Sequence, residues 1–151
     1  MKLYLVQHAD AVSKDTHPLR PLSERGLKDV AKMAAFLRGA EISVGRVVHS
    51  GKLRAEETAN ALAKTVWIDN TPGAMDGIDP SDSTDALYGA AQASDVDLMV
   101  VGHMPFMGAM ASRCLKGGDV LYEPGSVLCL ERKGDGWVLD WFVKPGMLED
   151  D

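Results

Sequence analysis

A chain of 151 residues falls near the usual size of one domain, and 46% apolar with 25% charged residues is the balance of a chain that buries a core of its own. A formal net charge of −6 disfavours a general nucleic-acid binder, whose footprint is basic. No apolar run approaches membrane-spanning length, and LYLV near the start is too short for a signal-peptide core; the expectation is a cytoplasmic protein. The first element in chain order is KLYLV (2–6), a β run suited to a sheet covered on both faces. Ala11 to Leu22 is polar, holds Pro18 and Pro21, and reads as a loop. Ser23 is an N-cap, with Glu24 in the first turn. Leu27, Val30, Ala31, Ala34, Phe36 and Leu37 then give an apolar helical face to about Arg38, and Gly39 is placed to end it.

VGRVVHS (44–50) is the second strand, and KLRAEETANALAKTV (52–66) follows as a helix with Leu53, Thr58, Ala61, Leu62 and Thr65 at helical spacing. The acidic, Gly- and Pro-rich stretch 69–85 lacks periodicity; loops of that length in compact domains tend to be functional. A short helix is expected over 84–93. VDLMVVGH (96–103) is a buried strand closing on Gly102 and His103, and Met104-Pro105 opens a helix to about Leu115. SVLCLERKGDGWVLDWFV (126–143) is a hairpin turning at Lys133-Gly134-Asp135-Gly136, and the residues from Pro145 onward read as a frayed end. Period-two spacing puts Trp137 and Trp141 on one face of the last strand, and helix packing accounts for Met104, Met107 and Met110. Cys114 and Cys129 read as buried fillers, although one bridge between them is compatible with the sequence. Strands alternating with helices and then a hairpin predict an α/β fold, a three-layer α/β/α sandwich with a mainly parallel central sheet and an antiparallel edge strand. Neither a linker nor a repeat interrupts it, so residues 1–151 are expected to form a single domain.

In such sheets, sites form beyond the carboxyl ends of the strands. Three predicted strands end there on polar groups: Gln7-His8, His49-Ser50 and Gly102-His103. Arg54 follows Ser50 by one helical turn, at a helix N-terminus where the dipole disfavours a cation unless an anion is held beside it. Taken singly, each has an ordinary explanation. A strand-end histidine is commonly a hydrogen-bonded structural residue, and Arg54 could pair with Glu56 or Glu57 on its own helix. Converging on one sheet edge, two imidazoles and a guanidinium make a phosphoryl-transfer constellation. They also make half a zinc site, but no third ligand has suitable spacing, and no metal is expected. Walker-type and dinucleotide glycine loops are both absent.

The arrangement resembles the histidine phosphatase superfamily, the phosphoglycerate-mutase-like fold, and within it the short phosphohistidine phosphatase branch of the SixA type. LVQHADA (5–11) occupies the place of the family's strand leading to Arg-His-Gly. RPLSERG (20–26) is similar to the branch's Arg-Pro-Leu-(Ser/Thr)-x-x-Gly, and VVHSGKLRAEETA (47–59) to its Ser-x-x-x-Arg-Ala-x-x-Thr segment. VVGHMPFMG (100–108) resembles the hydrophobic strand, His and then Pro of the second histidine motif. The four follow one another in the family's order, from residue 1 to about 143.

The resemblance implies that His8 is the nucleophile, forming a phosphohistidyl-enzyme that water hydrolyses, with Arg54 and His103 binding the equatorial oxygens. It adds Gln7, Arg20 and Ser50 to the phosphate-binding set, Arg20 at the pocket's edge and Ser50 orienting the phosphate or capping the helix of Arg54. The chemistry agrees: a neutral imidazole is a competent nucleophile, and charge positioning supplies most of the catalysis in phosphoryl transfer without a cofactor. Two departures stand out. Gln7 replaces the family's phosphate-binding Arg, keeping an N–H donor but losing charge and fork, and losing an oxyanion donor typically costs roughly 3–4 kcal/mol. Lys52, Arg20 or a positive group on the substrate could compensate. Ala9 replaces Gly and adds a methyl where backbone passes the site.

Larger members of the superfamily carry a Glu as general acid. Here the 69–85 loop offers Asp76, Asp79, Asp82 and Asp85, none in a recognisable motif. A protonated imidazole leaves far more readily than an alkoxide, so a phosphoramidate substrate needs that acid least. The chain also lacks the segments with which mutases cover a small substrate, which implies a shallow, open pocket. The expected function is therefore a metal-independent phosphohistidine protein phosphatase, acting on a histidine phosphotransfer domain or a phosphocarrier, without nucleic-acid or membrane partners. The alternatives are a small-molecule phosphomonoesterase and a weakly catalytic member that binds phosphohistidine or phosphate.

Overall fold

A computed structural model of the chain describes residues 1–150. Its elements are β1 (Lys2–Gln7), α1 (Glu24–Gly39), β2 (Arg46–His49), α2 (Leu53–Val66), β3 (Gly73–Ala74), α3 (Asp85–Ala93), β4 (Leu98–Gly102), α4 (Phe106–Cys114), β5 (Val127–Lys133) and β6 (Gly136–Val143), followed by a 3₁₀ turn at Pro145–Met147. One six-stranded sheet runs in the order β3-β2-β4-β1-β5-β6. The pairs β3–β2, β2–β4 and β4–β1 are parallel, while β5 runs antiparallel to both β1 and β6. The three-layer α/β/α sandwich with a mainly parallel sheet and an antiparallel hairpin at its edge is thus the observed architecture.

The two faces bury alternate residues of the same strands, as the pleat requires. Tyr4, Val6, Val47, Met99 and Val101 face α1 and α2 through Val30, Met33, Leu37, Ala59 and Leu62. Leu3, Leu5, Val48, Val100 and Leu128 face α3 and α4 through Leu87, Phe106, Met107 and Met110. The central strands therefore read as unbroken apolar runs, each residue having a helix to meet. Cys129 lies in the first core and Cys114 in the second, both as free thiols, so the bridge the sequence left open does not form. Burial pushes them up to about 11 and about 12 respectively, which keeps both unreactive at neutral pH.

Several expectations are corrected. Trp137 and Trp141 lie on opposite faces, because β6 carries an extra residue where the register against β5 jumps between Cys129 and Leu130. One inserted residue reverses every side chain beyond it. Trp141 packs edge-on to Phe36, with centroids 5.6 Å apart, while Trp137 joins the α4 side. Residues after Pro145 are not simply frayed: Pro145 is buried, and the 3₁₀ turn packs on α1. Gly39 is the last helical residue rather than the stop, and the left-handed position falls at Glu41. Leu27 is exposed, its place on the inner face taken by Gly26, which touches the backbone of Asp10. Met104 is likewise exposed, unlike Met107 and Met110. Among the described residues, no helix is long and apolar enough to cross a membrane.

Candidate functional site

The three adjacent parallel strands β2, β4 and β1 end together. His49 and Val6 both lie opposite Val101, and Gln7 lies opposite Gly102. The next residues on each strand, Ser50, His103 and His8, therefore share one edge. The His8 N–H extends the ladder by donating to the Gly102 carbonyl at 2.9 Å. Its ring Nδ1 lies 2.7 Å from the Ala9 carbonyl, an acceptor only, so Nδ1 carries the proton and Nε2 the lone pair. The His8 and His103 rings sit 5.1 Å apart between centroids, tilted by 52°.

His103 is 2% exposed. Ser50 Oγ lies 2.6 Å from its Nε2 and also accepts the Lys52 N–H at 3.4 Å. The other ring nitrogen, Nδ1, is buried without a partner. Arg54 stands in the first turn of α2, its Nε buried and unpartnered. Neither Glu56 nor Glu57 pairs with it; Glu57 instead accepts the Leu22 N–H at 2.9 Å, tying the 11–22 loop to α2. That loop is further closed by an Ala11–Leu22 bridge and by the Val12 N–H on the Pro21 carbonyl. Within it Arg20 holds a left-handed backbone, φ 52°, and its Nε donates to the Val12 carbonyl at 2.9 Å. A non-glycine residue in that region is sparsely populated and persists where the surroundings fix it. Here they hold a guanidinium toward the histidines.

The electrostatics have one sign. Burial lowers the affinity of His8 for a proton, and the charges of Arg54 and Arg20 lower it further against the pull of the Ala9 carbonyl and Asp10. Burial, followed by His8, Arg54, Lys52 and Arg20, takes His103 down to about 3. Arg54 is itself pushed down by burial and by Arg20. Both imidazoles are accordingly neutral at pH 7, and His8 offers a bare Nε2 among fixed cations. An oxyanion placed there would gain charge-assisted hydrogen bonds from several directions. Gln7 adds no charge, and its Oε1 is buried without a partner. Ala9 is fully buried at negative φ, so its methyl is accommodated by ordinary backbone geometry.

Two supporting residues escaped sequence reasoning. Thr58, fully buried on α2, accepts the Ala9 N–H at 3.0 Å and donates to the Arg54 carbonyl at 2.8 Å. One hydroxyl thus fixes the backbone beside His8 to the turn bearing Arg54. The sequence signal for Thr58 is its place as the threonine that closes the Ser-x-x-x-Arg-Ala-x-x-Thr segment, which does not say what its hydroxyl touches. Asp10 accepts the Ser23 hydroxyl at 2.6 Å, its carbonyl accepts the Ser23 N–H at 2.9 Å, and Ser23 Oγ in turn caps α1 through the Gly26 N–H at 3.0 Å.

The 69–85 segment is more structured than its composition suggests. β3 pairs with β2, the Met75 N–H reaches the His49 carbonyl at 2.8 Å, and Ile78 is fully buried. Of its aspartates, Asp82 accepts the Asp79 N–H and Asp85 pairs with Arg113 at 2.6 Å. Asp79 approaches Lys52 at 4.0 Å. The carboxylate acting on His8 is Asp10 rather than a member of this segment. No group of three His, Cys, Asp or Glu residues that could hold a metal occurs among the described residues.

No family model matches the chain. It is 22% identical to phosphohistidine phosphatase SixA of Escherichia coli K12, over 96% of this chain and 94% of that protein. Among solved structures, the protein histidine phosphatase SixA complexed with tungstate superposes with a TM-score of 0.87 at 18% identity, covering 97% of this chain and 99% of that one. Phosphoserine phosphatase of Entamoeba histolytica, in complex with 3-phosphoglyceric acid, reaches 0.73 at 15% identity over 93% of this chain and 95% of that one. Several branches are thus similar in backbone, and what they share is the architecture that brings β1, β2 and β4 to one edge. The fold of this chain is that of the histidine-phosphatase superfamily, the phosphoglycerate-mutase-like fold.

Proposed function

We propose that the chain is a phosphatase that works through a covalent phosphohistidyl intermediate on His8, with a phosphohistidine side chain of another protein as its substrate. The observation that carries this reading is the state of His8: neutral, its Nδ1–H held by the Ala9 carbonyl, its Nε2 free beside Arg54, Arg20 and His103. Nε2 attacks phosphorus as the bond to the substrate imidazole breaks, and that ring, already protonated on its other nitrogen, leaves as a neutral imidazole. Water then attacks the phosphohistidine, phosphate departs, and His8 Nε2 recovers its lone pair. Arg54, Arg20 and His103 meet the equatorial oxygens and stabilise the charge that spreads onto them.

An imidazole leaving group places little demand on a general acid, and three of the four loop aspartates are engaged elsewhere, Asp82 with backbone, Asp85 with Arg113 and Asp79 facing Lys52, which leaves the exposed Asp76. That favours a phosphoramidate over a phosphomonoester. The test is phosphate release from a histidine-phosphorylated phosphotransfer domain or phosphocarrier, with phosphoserine and a sugar phosphate in parallel. The expected result is preference for the phosphohistidine protein, loss of turnover in His8→Ala, and an acid-labile, base-stable phosphoenzyme trapped from the wild type. Equal or better turnover of phosphoserine assigns the small-molecule reading instead; binding without turnover of any of them assigns the binding-only reading.

A further inference from the structure

Gln7 brings no charge to the edge where β1, β2 and β4 end, its Oε1 being buried without a partner, and the neighbouring element offers a cation. Lys52 is the N-cap residue of α2, two residues from Ser50 and two from Arg54. Its N–H donates to Ser50 Oγ, the atom that contacts His103. Its ammonium is held loosely, 4.0 Å from Asp79, whereas Arg113 and Lys133 grip their carboxylates at 2.6 Å and 2.8 Å. The side chain is 39% exposed and carries no cap hydrogen bond to its own helix. It is a long, flexible cation rooted two residues beyond Ser50, at the edge that carries His8 and His103. Its charge, with those of Arg54 and Arg20, opposes protonation of His103.

We propose that Lys52 is a phosphoryl-binding residue of this site, supplying the charge that Gln7 does not, and that Asp79 is its resting partner, from which a bound phosphoryl group withdraws it. The proposal rests on the anion-binding reading of the site given above. It assigns the 69–85 segment a task other than acid catalysis: Asp79 competes with the ligand for Lys52.

Calorimetric titration with inorganic phosphate tests this on the intact chain and its variants, without relying on turnover. Lys52→Ala weakens binding about tenfold, the usual worth of one hydrogen bond to a charged group, while Lys52→Arg stays close to wild type. Asp79→Asn acts in the opposite direction, tightening binding roughly two- to fivefold as an exposed ion pair is released. Gln7→Arg gains more in the Lys52→Ala background than in the wild type, because the two charges serve one ligand. Binding in Lys52→Ala within about twofold of wild type, weaker binding in Asp79→Asn, or an equal gain from Gln7→Arg in both backgrounds overturns the proposal. If the wild type binds phosphate and Arg54→Ala does not, such a result removes Lys52 alone. Phosphate binding absent from wild type and Arg54→Ala alike removes the phosphatase reading together with it.

Discussion

Thr58→Val removes one buried hydroxyl and nearly nothing else, since the two side chains share a shape and a similar helix propensity. The loss leaves the Ala9 N–H without a partner in a place where neither residue is exposed. An orphaned buried donor costs about 1–3 kcal/mol. The bond from Thr58 to the Arg54 carbonyl adds little, because such back-bonding is near neutral in a helix. A net loss of about 2 kcal/mol corresponds to a fall in thermal midpoint of about 4–8 °C for a chain of this size. Function should suffer more than stability. The Ala9 carbonyl orients His8, the Thr58 hydroxyl positions Ala9, and a shift of about 1 Å at a reacting group costs up to about 100-fold. Thr58→Ser is the control: it keeps both hydrogen bonds and loses one methyl, about 1 kcal/mol of burial. Urea titration and kcat/KM on a phosphohistidine protein, measured for both variants, separate the effects. A Val variant as active as wild type, or a Ser variant as impaired as Val, refutes the claim that this hydroxyl joins the two motifs.

Acid should destabilise the fold through its buried imidazoles. His103 titrates at about 3 when folded against 6.5 when unfolded, so the unfolded chain binds more protons between those values, and stability falls as pH drops from 6.5 toward 3. Between pH 7 and pH 5 this one group contributes about 2 kcal/mol to the fall, which His103→Asn should abolish in urea titrations; identical slopes for the two proteins refute the assignment. Gly26→Ala should destabilise although alanine raises helix propensity by about 1 kcal/mol, because its Cβ would collide with the Asp10 carbonyl oxygen. A higher thermal midpoint for that variant would show that this backbone contact can yield.

The elements were legible where their signals are local. Alternating apolar runs and caps located every helix and every strand but β3, a two-residue strand whose pairing to β2 no periodicity can announce. The face assignment of Trp141 failed because a bulge is a property of the pair, and β6 alone does not reveal where its partner skips. The site divides in the same way. Strand-end polar residues mark His8, Ser50 and His103 because their chemistry is wasted on packing. Thr58 on Ala9, Ser23 on Asp10 and Asp79 beside Lys52 join residues 13 to 49 positions apart, and each looks like an ordinary helix or loop residue until the sheet places it.

The unsatisfied groups show where this fold gives up stability for chemistry. Five buried side-chain polar atoms lack a partner among the described residues, and three of them, Gln7 Oε1, Arg54 Nε and His103 Nδ1, belong to the one edge where β1, β2 and β4 end. Folded proteins leave few such atoms, because each costs about as much as a lost hydrogen bond. At the same edge Arg54 and Arg20 oppose protonation of both imidazoles, and Lys52 opposes that of His103. Repulsion among these charges and the orphaned Arg54 Nε–H both raise the energy of the unliganded fold, and an anion rich in acceptors would relieve both, whereas Gln7 Oε1, itself an acceptor, calls for a donor. Burial, with the charges of Arg54 and Arg20, holds His8 unprotonated, so on the proposed reading the groups that would bind a phosphoryl group also favour a nucleophilic imidazole. On that reading binding and activation arise from one arrangement, an uncharged Gln7 adds to neither, and the proposed recruitment of Lys52 serves both.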